Sequence, residues 1–191
     1  MKKRINIIQI DIVSMVVNTA YAAVNLFIGF SQPSWWFISI GIYYFILCFM
    51  RSSVIIIRQK IPKLFVGIML IITSVPLFGV AVISAFRDVG TEFHEIIMIA
   101  MALYAFTKVT LAIINLVKVN KKSAPAEMAL RNISFADALV SIASLQRSML
   151  VSFGDMAVSE IKLFNILTGS GVCILVFLSG LNLIISKKKK C

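Results

Sequence analysis

Ionisable side chains interrupt the long apolar runs of this sequence, where such groups are rare. Those that lie well inside a run are Asp11, Arg51, Lys108, Arg131, Asp137 and Arg147. An ionisable group at the centre of a membrane-spanning helix costs about 2.5–3.5 kcal/mol on insertion scales, so it normally faces the protein interior. The chemistry open to such groups is the binding of a proton or a small ion.

Asp137 is the strongest candidate, because a polar stripe surrounds it. It lies about ten residues into its apolar run, which is ~15 Å along a helix and near the middle of a membrane. Ser134 lies three residues before it, and Ser141, Ser144 and Ser148 follow at steps of four, three and four residues, which places all of them on the same helix face. Such a stripe lines an ion path or holds two helices together by hydrogen bonds, and the carboxylate favours the path.

Two other apolar runs carry polar stripes. The first run has Asp11, Ser14, Asn18, Tyr21 and Asn25 within an arc of about 80°, and the fourth has Tyr104, Lys108 and Asn115. Three stripes that face one another would line a common path. Its candidate residues are Asp137, Ser141, Ser144, Lys108, Asn18 and Asn25.

The charge state of Asp137 has two interpretations. Lys108 lies at a comparable depth, so the two side chains can form an ion pair whose desolvation cost offsets much of the attraction. Without a partner, the buried carboxyl would instead carry a proton. We expect Arg51 and Arg131 to extend to the nearer interface and Arg147 to anchor at the opposite one.

Other kinds of site have little support in the sequence. Cys48, Cys173 and Cys191 lie far apart, and His94 is the only histidine. We therefore expect no metal site and no cofactor. No nucleophile has a nearby candidate base, so we expect a protein that is not an enzyme.

The elements that carry these residues are six long apolar runs. The chain is 60% hydrophobic and 14% charged, against ~45–50% and ~25% in soluble domains. A span needs about 20 apolar residues. The predicted spans are 7–30, 35–57, 64–86, 95–117, 128–153 and 164–186. We predict an all-α integral membrane protein whose residues 1–191 form a single domain.

Basic residues alternate between the connections. Lys and Arg precede the first span, follow the second and the fourth, and follow the sixth, whereas 31–34, 87–94 and 154–163 carry four acids and only Arg87 and Lys162. This positive-inside pattern predicts cytoplasmic termini in a multi-pass protein of a bacterial cell membrane.

The net charge of +11 also bears on partners. Basic residues are not interleaved with aromatic ones, so we expect no nucleic acid. The expected partners are the lipid bilayer and its anionic headgroups, and a homodimer is left open.

The ionisable residues inside the membrane fall on the first, second, fourth and fifth spans. Because such groups avoid lipid, we expect these four helices to form an inner bundle. The third and sixth helices should then pack outside it.

Two segments are similar to a known family. Residues 25–29 with Ser34 resemble the first hairpin of the cation diffusion facilitators, and 136–144 resembles their fifth, metal-binding helix. The resemblance implies six helices, cytoplasmic termini and an inner bundle of helices one, two, four and five. It places Asp137 at a ligand position, and Ile40 with Tyr43 or Tyr44 where the second helix has ligands. Tyr43 therefore joins the path residues.

The sequence departs from that family in its ligands. The partner expected four residues from Asp137 is Ile133 or Ser141, and no cytoplasmic metal-binding domain is expected after the sixth span. One carboxylate is a poor site for a divalent metal. We therefore predict a small secondary transporter of cations or other small solutes, related to the cation diffusion facilitators or degenerate from them. The alternative is a non-transporting membrane accessory or interaction protein.

Overall fold

The computed structural model describes residues 2–31, 35–57, 63–86, 95–118, 125–153 and 157–188. This part of the chain is helical throughout apart from Ala157, which precedes the last helix. The helices are α1 (Lys2–Ser31), α2 (Trp35–Ile57), α3 (Lys63–Phe86), α4 (Glu95–Lys118), α5 (Pro125–Phe153) and α6 (Val158–Lys188). Each contains a stretch long and apolar enough to cross a membrane. The predicted six-helix, all-α class is confirmed, and it is compatible with a polytopic membrane protein.

The start of α6 differs most from the prediction. The helix begins at Val158, six residues before the predicted start of its span at 164. The Glu160 side chain accepts a hydrogen bond from the Ala157 backbone N–H at 3.2 Å. A Glu that reaches back to the N-cap residue is half of a capping box and stabilises the first turn. Glu160 and Lys162, predicted to lie in a connection, are therefore helical.

The helices associate in pairs around α2 and α5. α1 packs on α2, α4 on α5 and α3 on α6, while α2 and α5 contact each other. α2 also contacts α3, and α5 also contacts α6. The core is formed mainly by fully buried residues of these two helices, among them Tyr43, Tyr44, Leu47, Ile133 and Ala136.

Burial does not divide the helices as predicted. In their membrane-length stretches, 50% of residues are buried in α2 and 56% in α5, but also 44% in α3. The corresponding values are 28% for α1 and 22% for both α4 and α6. The third helix is thus more enclosed than the first or the fourth, because it packs against α2 as well as α6.

Two glycines set the close crossing of α3 and α6. A Cβ atom on Gly67 would lie 2.9 Å from the Gly180 carbonyl oxygen, and one on Gly180 would lie 2.8 Å from the Gly67 oxygen. No side chain fits at either position without moving a backbone. Small residues that let backbones approach are typical of helix contacts in membranes.

Several sequence predictions lie outside the described residues. They concern most of the connections, which include His94 and Lys121, and the terminal Cys191. The side chain of Asp11 also lies outside the described part. The positions of these residues relative to a membrane stay predictions.

Candidate functional site

The carboxylate of Asp137 is fully buried at the centre of the bundle. Its Oδ2 atom accepts hydrogen bonds from Asn18 Nδ2 at 2.9 Å, Arg51 Nη2 at 2.9 Å and Lys108 Nζ at 2.8 Å. The donors come from α1, α2 and α4, and Asp137 itself from α5. Four helices therefore meet at one oxygen atom. We call Asp137, Arg51 and Lys108 the charge triad.

Lys108 is buried and has three acceptors. Besides Asp137, its Nζ donates to Ser14 Oγ at 3.0 Å and to Asn18 Oδ1. A lysine ammonium has three N–H donors and no acceptor, so this geometry suits the charged form. The Tyr104 ring lies 5.2 Å from Nζ and adds a cation–π contact. The predicted proximity of Lys108 and Asp137 is thus found.

The predicted position of Arg51 was wrong. Its side chain is 1% exposed and extends inward instead of to an interface. Nη2 contacts Ser134 Oγ at 3.4 Å as well as Asp137, and Ser134 Oγ also accepts a bond from Asn115 Nδ2 at 3.1 Å. A buried carboxylate attracts a nearby guanidinium more strongly than a distant interface does, because charges interact strongly at low dielectric.

The triad holds an excess of positive charge. Arg51 and Lys108 each contribute one positive charge and Asp137 one negative charge, which leaves a net charge of one. Within the triad, Arg51 and Asp137 form a neutral pair, and Lys108 is the additional cation. It is buried despite the desolvation cost of several kcal/mol that such a charge carries.

A small cavity adjoins the triad. It measures about 10 Å³ and is lined by the triad together with Ser14, Leu111, Asn115 and Ser134. That is at most the room needed for one water molecule. Two acceptors in this lining, Asp137 Oδ1 and Asn115 Oδ1, have no hydrogen-bond partner among the described residues. The site is closed in this conformation, with acceptors available beside it.

Tyrosines cover one side of the triad. The rings of Tyr21 and Tyr104 stack at 5.0 Å between centroids, and Tyr44 meets Tyr21 edge-on at 4.9 Å. Tyr104 OH donates to Asn18 Oδ1 at 3.2 Å, and Tyr44 OH lies 3.1 Å from Ser141 Oγ. This aromatic layer packs α1, α2 and α4 together next to the charges.

The other predicted path residues are placed in different ways. Ser141 lies beside the triad, and its hydroxyl donates to the Asp137 carbonyl at 2.8 Å. Tyr43 is fully buried, and its hydroxyl has no partner among the described residues. Ser144 lines a separate cavity. Asn25 Nδ2 donates at 2.7 Å to the Tyr21 carbonyl of its own helix and does not reach the triad.

Arg51 is the one triad residue that was not predicted as part of the path, although its position in the sequence indicates burial. Arg51 follows Tyr44 and Leu47 at spacings of three and four residues, on the buried face of α2. A cation on that face predicts a buried partner. Among the described residues, no group of three His, Cys, Asp or Glu side chains is arranged to hold a metal ion.

Comparisons with known proteins give no relative. No protein family matches the chain, and neither a curated protein nor a solved structure does. The similarity to the cation diffusion facilitators therefore stays a prediction, and the function has to be argued from the charge triad.

Proposed function

We propose that the protein is a small secondary transporter that spans the membrane six times and exchanges a monovalent cation for a proton. The observation that carries the proposal is the charge triad, buried where α1, α2, α4 and α5 meet. Ionisable groups inside a membrane are costly, and they commonly mark ion paths and proton relays.

The additional charge of Lys108 supports this residue as the one that releases the proton. Loss of a proton from Lys108 leaves the Arg51–Asp137 pair, which is neutral overall. A monovalent cation that then binds beside Asp137 restores the net charge of one. The site carries the same charge in both states, so the exchange of one cation for one proton adds no buried charge.

Two unpartnered acceptor atoms support a cation site beside the triad. Asp137 Oδ1 and Asn115 Oδ1 line the cavity beside the triad, and oxygen atoms are the ligands that hard cations prefer. Two cationic neighbours make this lining unsuitable for a divalent metal, which wants several anionic or imidazole ligands. We therefore infer a monovalent cation, and transport of divalent metals is disfavoured.

The mechanism requires a conformational change. A cavity of about 10 Å³ admits at most one water, so ions enter only when the helices around the triad separate. Alternating access around a site at the midplane is the usual solution in secondary transporters. In this proposal α1, α2, α4 and α5 form the functional bundle, and the basic connections and both termini are cytoplasmic.

A second function is favoured by the same closed packing. A non-transporting accessory protein needs no opening, and its polar groups would only hold helices together. The tight cavity and the satisfied Lys108 donors fit that role. Only a transporter moves cations and protons across the membrane, so one measurement of ion flux separates the two functions.

The test uses the purified protein in liposomes that contain a pH-sensitive dye. An inward sodium gradient should drive protons out, and Asp137→Asn and Lys108→Met should each abolish this flux. Thr110→Val is the matched control on α4, because the exposed Thr110 hydroxyl bonds only to the Phe106 carbonyl of its own helix. Absence of flux with sodium, potassium and lithium in the wild type would favour the accessory function.

A further inference from the structure

The aromatic layer formed by Tyr21, Tyr44 and Tyr104 lies on one side of the charge triad. On α1, Tyr21 follows Asn18, whereas on α4, Tyr104 precedes Lys108. On α2, Tyr44 likewise precedes the triad arginine. Because the three rings contact one another, they lie together toward the end of the bundle where α1 ends and where α2 and α4 begin. In the proposed topology this end is the outer side of the membrane.

The cavity beside the triad lies on the opposite side. Its lining includes Leu111 and Asn115, which follow the triad lysine on α4. Ser134, also in the lining, precedes Asp137 on α5. None of the three tyrosines is among the described residues of this lining. The unpartnered Oδ1 of Asn115 therefore lies in the cytoplasmic half of the site, and the rings separate the triad from the outer side.

Two close helix pairs carry the site, since α1 packs on α2 and α4 packs on α5. The first pair is held by backbone approach at two glycines. A Cβ atom on Gly29 would lie 2.9 Å from the backbone nitrogen of Ile38. One on Gly41 would lie 3.2 Å from the backbone nitrogen of Leu26. Helices in such contact cannot separate without losing extensive packing, so α1 and α2 move together.

α1 and α4 meet differently, through long side chains. In the described part of the chain they are not among the helix pairs that pack closely. The Tyr21 ring stacks on Tyr104 at 5.0 Å, and Tyr104 OH donates to Asn18 Oδ1 at 3.2 Å. Next to this stack, Lys108 Nζ donates to Ser14 Oγ and Asn18 Oδ1. We call this line of contacts the α1–α4 seam. Its outer part can open by the loss of one ring stack and one hydrogen bond.

We propose that the stack of Tyr21 and Tyr104 is the outer gate of the cation site. It opens when the α1–α2 pair and the α4–α5 pair rotate about the contact between α2 and α5. The gate rests on the exchange at the charge triad proposed above, because an alternating-access site needs a closure on each side. Stacked rings suit this role, since they fill the seam with apolar area and leave no buried charge unpaired when they separate. Opening exposes Asn18 and Lys108, which contact Tyr104.

The first measurement links the two sides of the gate in liposomes. In a chain without native cysteines, the thiols of Tyr21→Cys and Tyr104→Cys are joined by a bifunctional methanethiosulfonate with a two-carbon spacer. The link should reduce the sodium-driven proton flux to that of protein-free liposomes, and a reducing agent should restore it. In detergent, the linked protein should still release its proton when sodium is added, because the inner side stays free to open.

The matched control links α1 to α2. Thr19 Oγ1 lies 3.3 Å from Cys48 Sγ, so Thr19→Cys and the native Cys48 bring two thiols together close to Tyr21. The same reagent should form this link without loss of flux, because the two helices move as one unit.

The outcomes separate the gate from the exchange. Full flux through the linked Tyr21→Cys/Tyr104→Cys protein would overturn the gate and leave the exchange intact. An equal loss of flux in the α1–α2 control would also overturn it, since those two helices would then have to separate. Absence of flux in the unmodified protein would overturn the exchange and the gate with it.

The second measurement keeps all three tyrosines. Spin labels at Phe27→Cys on α1 and Ile99→Cys on α4 report the distance across the seam, because both positions are exposed and lie on the outer side of the aromatic layer. Sodium, compared with choline, should add a longer distance in double electron–electron resonance. Labels at Phe27→Cys and the exposed Ile42→Cys on α2 should keep a single distance. One unchanged distance across the seam in both salts would overturn the gate.

Discussion

The Nζ atom of Lys108 lies 2.8 Å from Oδ2 of Asp137, and the same oxygen accepts a bond from Arg51 at 2.9 Å. One buried carboxylate therefore serves two cations. This relationship separates the triad from a simple structural ion pair, because removal of either cation still leaves a neutral pair. Removal of Asp137 should therefore reduce the stability of the protein more than removal of either cation.

The first prediction concerns stability. Asp137→Asn removes the carboxylate that Arg51 and Lys108 share, and it should reduce the free energy of unfolding by about 3–5 kcal/mol. Lys108→Met should cost clearly less, because Arg51 still pairs with Asp137. The stability of the double variant Asp137→Asn/Lys108→Met should lie between those of the two single variants, since only one of the two cations then loses the shared carboxylate. Unfolding in mixed micelles with increasing denaturing detergent measures the order.

A different order of stabilities among these variants would contradict the charge pairing within the triad. If Lys108→Met destabilises as much as Asp137→Asn, Arg51 does not compensate the carboxylate. The exposed Thr107 lies next to Lys108 in sequence and bonds only to the Leu103 carbonyl, so Thr107→Val controls for changes on α4.

The second prediction concerns the affinity for the cation. Asn115 offers an unbonded Oδ1 beside the triad, while its Nδ2 is engaged by Ser134. Asn115→Leu should raise the KM for sodium by about tenfold, which corresponds to the loss of one oxygen ligand worth ~1.4 kcal/mol. Asn132→Leu on α5 should leave KM unchanged, because the Asn132 amide donates to the Met128 carbonyl of its own helix and does not line the cavity. A normal KM in Asn115→Leu would exclude this amide from the cation site.

The sequence predicted the polar centre well because helical periodicity is a strong signal. Asp137, Lys108 and Asn18 were found from stripes at spacings of three and four residues, and the structure brings them together. Arg51 was misplaced, because a long side chain can extend in either direction along a helix and only a partner decides which. Asn25 shares the stripe of Asn18, but its amide is satisfied within its own helix.

The burial of α3 could not be predicted from its residues. Inside a membrane, lipid and protein interior are equally apolar, so a helix rich in Leu, Ile and Val can face either. The exposed Ile68 and the fully buried Leu70 of α3 have the same character in sequence. α3 is enclosed because it packs against both α2 and α6, and its close crossing with α6 depends on Gly67 and Gly180, which are 113 residues apart.

The third prediction tests that crossing. Gly180→Ala puts a methyl group 2.8 Å from the Gly67 carbonyl oxygen, so it should destabilise the protein by about 1–3 kcal/mol through overpacking. Gly171→Ala on the same helix is the control, because a Cβ there meets nothing within 4 Å. Thermal unfolding should show a loss for the first variant only. Equal melting temperatures for the two variants would argue against the close approach.

The fourth prediction concerns orientation. In a variant without native cysteines, Gly90→Cys should react in intact cells with a thiol reagent that does not cross membranes, and Lys122→Cys should react only after permeabilisation. The reason is that the connection at Lys122 is basic and that at Gly90 is not. Labelling of Lys122→Cys from outside would reverse the assigned topology.

The most direct test of the central claim counts protons. The purified protein is held in weakly buffered detergent solution with a pH indicator, and sodium chloride is added against a choline chloride control. If a cation replaces the Lys108 proton, the wild type releases up to about one proton per protein molecule, and Lys108→Met and Asp137→Asn release none. Cation binding without proton release, or release that persists in Lys108→Met, would contradict the exchange at the charge triad.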